Sequence, residues 1–576
     1  MSKEATVIRD CDVFSEKEVL EACLKIKLQK APGPDNIPSV ITKTVIQTNI
    51  PLFVRFYNTF LLCQNFPEEW KKTKLTLIEK PKKSPDDPIK HRPICLIDEI
   101  GKVYERLINQ RLLTEIQEKK NGFHQNQYGF RKGRSTTHAI KAIQDLVELY
   151  KGMHCAMILL DVKNAFNTAS WPVIMEQLEK AEISAYLRNI LQSYMTNRTI
   201  VLARNSEEDI FGGVPQGSVL GPTLWNILYD DVMRLPMPSD VKVICYADDL
   251  AVFVASQTPK GMITRANYAL NLVSDWMEEH HLQIAPEKTE AILLSYKRDV
   301  EGISFLVQEQ EVKPQKTVKY LGFHLDRRLN MTTHIKEACL KAEKSIKSLK
   351  CLLPNIGGPS STKRRVLAMV CQSTVLYGAP AWSSKAFLRI NKTRLTTTQR
   401  NIALRVCSAY CTVSGRSANV VAGLIPLHLL VEERKRIYEC GNTETDKQAQ
   451  REMTLETWQE EWETGPESWT KTLIPDVRPW FKRKWGKTSY QLTQFLTGHG
   501  SFGTYTHRIK KREDVKCICC DAAVDGPEHT IFECPQWSRV RQTLYLELGE
   551  VLTSNAIVTK MLENKQTWKK INDYIC

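Results

Sequence analysis

The chain has 576 residues, 42% hydrophobic and 25% charged, with Gly and Pro at 26 each, a composition that excludes wholesale disorder, collagen-like repeats and a small disulfide-stapled module. Lys plus Arg (80) outnumber Asp plus Glu (65), and the formal net charge of +15 is the balance of a protein whose partner is a polyanion. No apolar stretch approaches the roughly 18 residues that span a bilayer, the start MSKEATVIRD carries no secretory leader, and most of the 17 cysteines are scattered singly, so a soluble protein of nucleus and cytoplasm with reduced thiols and no membrane partner is expected.

In chain order, Ser15 with Glu18 forms a capping box that opens a helix through Val19, Cys23 and Ile26 and ends at Ala31-Pro-Gly-Pro34. Cys155–Leu160 is a short apolar run, the pattern of a strand buried on both faces, and it stops at Asp161. Gly213-Val-Pro-Gln-Gly-Ser218 reads as a loop feeding a helix in the apolar run from Val219 to Leu228, with Gly217 admitting close backbone approach. Val241–Tyr246, the acids of Ala247-Asp248-Asp249 and then Leu250–Ala255 read as strand, tight turn, strand.

If those strands are neighbours, three carboxylates meet. They repel one another and lose hydration unless a cation neutralises them, which suits hard divalent ions and the two-metal chemistry of polymerases and nucleases. The plainer alternative is an ordinary Asp-rich hairpin turn and a helix cap. Beyond Asp326 the runs become Lys-rich and helical; Ile335, Cys339 or Leu340, and Ile346 fall on one face, and the lysines serve phosphates or simply water.

Near the C-terminus, Cys517 and Cys520 form C-x2-C, eight residues precede His529 and four more precede Cys534, a spacing that can close a Cys3His Zn2+ site, with Cys519 a spare thiol. Pro479-Trp-Phe-Lys-Arg-Lys-Trp-Gly-Lys487 and His507-Arg-Ile-Lys-Lys-Arg512 interleave aromatics and cations. That pattern makes Lys482, Arg483, Lys484, Trp485, Arg508, Lys510 and Lys511 candidates for gripping nucleic acid; the alternative places Trp480 and Trp485 in a core.

Tyr246-Ala-Asp-Asp249 resembles the catalytic palm of reverse transcriptases. Arg92-Pro-Ile-Cys-Leu-Ile, Gln127-Tyr-Gly-Phe-Arg-Lys-Gly-Arg-Ser-Thr-Thr137, Leu160-Asp-Val-Lys-Asn-Ala-Phe-Asn-Thr168, Gly213 to Pro222, Ile284-Ala-Pro-Glu-Lys-Thr289 and Tyr320-Leu-Gly-Phe323 resemble, in order, the blocks of non-LTR (LINE-type) retrotransposon enzymes. Lys30 to Pro38 resembles the extra block those enzymes carry ahead of the fingers, and Thr497 to Tyr505 with the Cys/His cluster resembles the arthropod lineage that inserts into ribosomal DNA or telomeric repeats.

The resemblance implies that Asp161, Asp248 and Asp249, helped by the Val162 carbonyl, carry two Mg2+ ions, with Asp249 the more dispensable. It implies that Phe166 lies beneath the sugar of the incoming dNTP and excludes a 2′-hydroxyl, and that Gln216 and Gly217 meet the dNTP or template. Lys80, Arg92 and Arg131 are candidates for the triphosphate, and Lys288 for a general acid toward pyrophosphate. The expected architecture is an α+β right-hand polymerase: an N-terminal helical extension (1–60), fingers and palm (61–326), a helical thumb (327–440) and a zinc-knuckle-type nucleic-acid-binding region (441–576). Implied partners are element RNA as template, target DNA and dNTPs, in target-primed synthesis. The parent polyprotein is expected to include an endonuclease, which this chain does not display. The rival reading is an inactive or domesticated nucleic-acid-binding protein.

Overall fold

Ser15 opens the first helix, α1 (Glu16–Leu24), through the capping box that its spacing predicts, its backbone nitrogen 2.9 Å from the Glu18 carboxylate. The helix ends at Leu24, well before Ala31. Ile26 N folds back to Cys23 O and Gln29 takes a φ of 66°, which breaks the helical ladder ahead of the prolines. α2 (Ser39–Thr48) and α3 (Ile50–Leu62) follow. Phe14, Val19, Cys23 and Tyr57 share one hydrophobic core with Trp70, Tyr104 and Leu107, and Tyr57 stacks on Tyr104 at 5.9 Å. Residues 12–60 are therefore built into the first unit instead of extending from it.

The chain divides into two compact units, Met1–Leu321 and Gly322–Cys576. The computed structural model describes residues 12–79, 91–119, 122–202, 206–294, 302–349, 354–441 and 443–576. In the first unit the strands are β1 (Lys72–Glu79), β2 (His91–Leu96), β3 (His154–Leu160), β4 (Arg198–Val201), β5 (Glu207–Ile210), β6 (Val241–Tyr246), β7 (Asp249–Ser256), β8 (Glu290–Leu293), the hairpin β9 (Phe305–Val307) and β10 (Gln310–Val312), β11 (Pro314–Gln315) and β12 (Thr317–Tyr320). Between them run α4 (Glu99–Glu118), α5 (Thr136–Leu149), α6 (Ala165–Thr168), α7 (Trp171–Lys180), α8 (Ala185–Met195), α9 (Gly221–Tyr229) and α10 (Pro259–Glu279).

Two sheets organise this unit, one ordered β2-β1-β4-β5 and one ordered β11-β8-β3-β7-β6. β3 is central in the second, antiparallel to both β7 and β8. Its apolar run is buried on both faces because alternate side chains go to different cores. Ala156, Ile158 and Leu160, with Leu250, Val252 and Val254 of β7, face the main core that Leu270 and Val273 of α10 also enter. Phe253 points the other way and meets Tyr150, just beyond α5, at 6.0 Å.

The second unit is mainly helical. In the helix Thr332–Leu349, Ile335, Ala338, Cys339 and Ala342 are buried while Leu340 is 47% exposed, so Cys339 carries the apolar stripe; Lys336, Lys341 and Lys344 face water. The regions 327–440 and 441–576 fold as parts of one unit: Trp480 is fully buried and its indole N–H donates to Val420 O at 2.7 Å. No helix among the described residues is long and apolar enough to cross a membrane.

Candidate active site and metal centre

The register of the central strands brings the acids together. Leu160 of β3 lies opposite Leu250 of β7, and Tyr246 of β6 opposite Asp249. Continuing the first pairing by one residue sets Asp161 against Asp249, so three carboxylates crowd one end of an apolar sheet.

Two neighbouring segments hold that end. Cys245 N donates to Asn126 O at 3.0 Å, Tyr128 N to Cys245 O at 2.8 Å, and Ala247 N to Gln127 Oε1 at 3.3 Å, with Ala247 at a φ of 58°. Residue 129 has to be glycine for this approach, since a Cβ there would lie 2.1 Å from Ala247 N. On the other side, Ala285 N donates to Asp161 O and Lys163 N to Gln283 O, both at 2.8 Å. Val162 thus faces Ile284 as the non-hydrogen-bonded pair of that bridge, which leaves its carbonyl unused there. The short turn Pro286–Lys288 then sets Lys288 Nζ 2.7 Å from Asp161 Oδ2.

The electrostatics follow from crowding. Burial, reinforced by the Asp161 charge, lifts the Asp248 carboxyl above its ordinary range, against the pull of Arg92. Asp249 opens to solvent on one side, yet desolvation by its surroundings and the charges of Asp248 and Asp161 push it up to about 6. A hard divalent cation would relieve both acids, and Asp161, Asp248, Asp249 and the Val162 carbonyl are the groups that could hold it.

The surrounding loops bring several predicted residues to this place. Cys95 N of β2 donates to Gln216 O at 2.8 Å, which ties the 213–218 loop to the strand that carries Arg92. Gly217 has a φ of 128° and would set a Cβ 2.5 Å from Cys95 O. Phe166 in α6 is half-buried, stacked on Trp225 at 5.4 Å and edge-on to Phe130 at 5.9 Å, and its carbonyl accepts from Val214 N. Arg131 turns inward, donating to His124 O at 2.6 Å and Gln127 O at 3.1 Å, so its guanidinium braces the loop that clamps Ala247. Lys80 lies outside the described residues.

Sequence reasoning passed over two positioning residues. Gln127, fully buried, also accepts from Gly129 N at 3.0 Å, so one side-chain oxygen fixes both strands of the approach. Glu105, also fully buried in α4, accepts from Val219 N at 2.5 Å and Leu220 N at 3.0 Å, and so caps α9 and anchors the 213–218 loop. Its acid is raised by burial and drawn back by those N–H groups and by Arg198. The available signal was a carboxylate on the apolar face formed by Gly101, Tyr104, Ile108 and Leu112.

In the second unit, Cys517, Cys520, His529 and Cys534 converge, with ligand atoms all within 4.8 Å of one another. Cys517 Sγ lies 4.0 Å from Cys534 Sγ, and Cys520 Sγ 3.3 Å from His529 Nε2. A tetrahedral Zn2+ sets such atoms roughly 3.5 to 3.8 Å apart, so the donor set fits. His529 Nδ1 lies 3.5 Å from Glu533, which would orient the ring. Desolvation opposes ionisation of Cys517, but the Cys519 N–H and the His529 and Cys520 side chains draw it down to about 7. Cys519 is exposed and outside the cluster.

The basic candidates separate. Arg483 lies over the Trp480 ring (3.9 Å to its centre) with Trp568 beside it at 5.7 Å, donates to Trp480 O, and is pushed down to about 9 by burial and Arg365; its guanidinium belongs to packing and not to a nucleic-acid face. Lys482 pairs with Glu452 at 2.5 Å, and Arg508 bonds His499 at 2.7 Å over the Tyr505 ring. Lys484, Lys510 and Lys511 are exposed, and Trp485 is half-buried.

The β6–β7 hairpin carries Asp248 and Asp249 beside Asp161, and residues 78–325 match the reverse transcriptase (RNA-dependent DNA polymerase) family. Over 91% of its length the chain is 26% identical to the putative 115 kDa protein in type-1 retrotransposable element R1DM of Drosophila melanogaster, covering 53% of it. It is 24% identical to the retrovirus-related Pol polyprotein from type-1 retrotransposable element R1 of Bradysia coprophila, over 91% of this chain and 54% of that one. With the probable RNA-directed DNA polymerase from transposon BS of D. melanogaster it shares 27% identity over 68% of this chain and 45% of that one. The chain thus contains a reverse transcriptase domain, and its relatives include type-1 retrotransposable element proteins. It spans about half the length of these curated relatives.

Two outcomes follow from the geometry. Asp248 and Asp249 hold protons more tightly folded than unfolded, so without metal their contribution to stability is fully present below about pH 4, the unfolded value, and is lost as pH rises through their raised folded values, about 6 for Asp249. Mg2+ should therefore raise the melting temperature clearly at pH 7.5 and little at pH 5, with the difference diminished in Asp249→Asn; calorimetry at the two pH values checks this. Glu105→Gln should cost about 2 kcal/mol, expose the Val219 and Leu220 amides to hydrogen exchange and raise the KM for nucleotide.

Proposed function

We propose that this chain is the RNA-directed DNA polymerase of a non-LTR retrotransposon, extending a primer 3′-hydroxyl on an RNA template. The observation that carries the reading is the convergence of Asp161, Asp248 and Asp249 at one end of the β3–β7–β6 hairpin, with two of their acids raised by mutual charge and burial. Asp161 and Asp248 serve as the main ligands of two Mg2+ ions, with Asp249 and the Val162 carbonyl assisting. Bound there, Mg2+ supplies a lowered pKa for the primer hydroxyl and counter-charge for the departing pyrophosphate.

The chain's own groups do the rest by position and charge. Arg92, whose charge reaches Asp248, faces the triphosphate. Lys288, held on Asp161, is placed to give a proton to pyrophosphate as the bond to the α-phosphorus breaks. Phe166, stiffened between Trp225 and Phe130, denies space to a ribose 2′-hydroxyl. Gln216 and Gly217 line the same place on a loop fixed by Cys95 and Glu105. The Cys517, Cys520, His529 and Cys534 centre takes structural Zn2+, which steadies the segment around Lys510 and Lys511 for contact with element RNA or target DNA in target-primed synthesis.

The test is dNTP incorporation on poly(rA)/oligo(dT) with Mg2+. Wild type should extend the primer, and Asp248→Asn should lose about three orders of magnitude or more of activity while remaining folded. A folded wild type that binds template-primer but incorporates nothing would favour the binding-protein reading.

A further inference from the structure

Arg198 opens β4 and is 1% exposed, a depth at which arginine is rare unless its charge is met. Its guanidinium lies over the Tyr194 ring at 4.5 Å and Nη1 donates to Tyr194 O at 3.0 Å, while Nε and Nη2, both enclosed, have no hydrogen-bond partner among the described residues. An enclosed cation with two idle donors is costly unless an acid nearby answers it.

That acid is Glu105. Its Oε2 takes the Val219 and Leu220 amides, and its Oε1, also enclosed, has no partner among the described residues. Tyr104, the residue before it, packs on Phe66 at 5.5 Å, and Phe66 packs edge-on to Tyr194 at 4.9 Å, so the two charges share one aromatic wall. Both reach the Tyr194 hydroxyl, which burial and Glu105 raise and Arg198 draws back. Burial raises the Glu105 acid itself; the Leu220 amide and then Arg198 draw it down, and the part-exposed Lys102 adds less. The same guanidinium acts on Cys95, whose thiol burial raises and Thr73 and Arg198 lower, and Cys95 N is the donor that holds Gln216 O. Both fastenings of the 213–218 loop therefore lie in the field of one buried cation. Enclosed groups of opposite charge that each lack a partner are joined through ordered water.

We infer that Arg198 is a positioning residue for nucleotide binding: its buried guanidinium holds the Glu105 carboxylate on the Val219 and Leu220 amides, and so sets the 213–218 loop that presents Gln216 and Gly217. The inference rests on the reading above that this loop meets the incoming dNTP. Arg198 touches no substrate in this account. It acts through Glu105, so its loss loosens the seat of the nucleotide and leaves the carboxylates at the end of β3 and β7 in place.

In primer extension by the full chain on poly(rA)/oligo(dT), Arg198→Met should raise the KM for dTTP about tenfold with kcat changed less than about threefold, and Arg198→Lys, which keeps the charge, should recover most of that loss. Adding Arg198→Met to Glu105→Gln should raise KM less than about twofold further, because the two residues act as one unit. Amide exchange, which needs no catalysis, should quicken at Val219 and Leu220 in Arg198→Met. Should Arg198→Met fail to fold, the double variant, which leaves no lone buried charge, carries the comparison with Glu105→Gln. An unaltered KM, equal losses in KM and kcat, a full tenfold added to Glu105→Gln, or unchanged exchange at Val219 and Leu220 overturns the inference. A folded wild type that extends no primer sinks the polymerase reading instead, and exchange then decides alone whether Arg198 holds Glu105.

Discussion

The structure of the first unit depends on one antiparallel pairing, β3 against β7 with Leu160 opposite Leu250. That register places Asp161 against Asp249 and, through the β6–β7 turn, brings Asp248 to the same end. A slip of one residue would flip every side chain of β3 to the other face and send the acid away from its partners. The pairing is locked because both faces of β3 are apolar and buried, so no alternative register avoids exposing or misplacing several of them.

Because the sheet is specified by hydrophobic burial, it can tolerate a cluster of like charges at its end, provided the backbone there is held by other means. Gln127 and Gly129 clamp the turn, the Asp161 and Lys163 backbone bonds stitch on residues 283–285, and Glu105 fixes the loop ahead of α9. The Gln127 and Glu105 side chains are buried, and each takes two backbone N–H groups on one oxygen. Arg131 joins them, since its guanidinium is spent on the supporting loop.

The acids were legible in the sequence because a carboxylate that abruptly ends an apolar strand is costly to hold there without a counter-charge, and the order of the surrounding blocks supplied the rest. The supporting polar residues were not. Gln127 and Glu105 look like surface residues until the fold wraps backbone N–H groups around them, and only the position of Glu105 on an apolar helix face betrays it. The aromatic and basic segment around Trp480 misled for a physical reason: a cation stacked on indole has the same local signature whether the partner ring lies in a core or beside a nucleic acid. Arg483 takes the first course, lying over Trp480 beside Trp568, of which the second comes from sequence too distant to pair by inspection. The Cys/His spacing left Cys519 as a rival ligand, and three-dimensional convergence selects Cys517 and Cys520.

The central claim is that the three carboxylates form a cation site. Crystals grown with template-primer, dNTP and Mn2+, measured for anomalous scattering, test it most directly. Anomalous peaks bridging Asp161 and Asp248 are expected, absent in crystals of Asp161→Asn, with Lys288 released from Asp161 toward the triphosphate. Ordered nucleotide with no peak at these acids, and Lys288 still paired to Asp161, would contradict it.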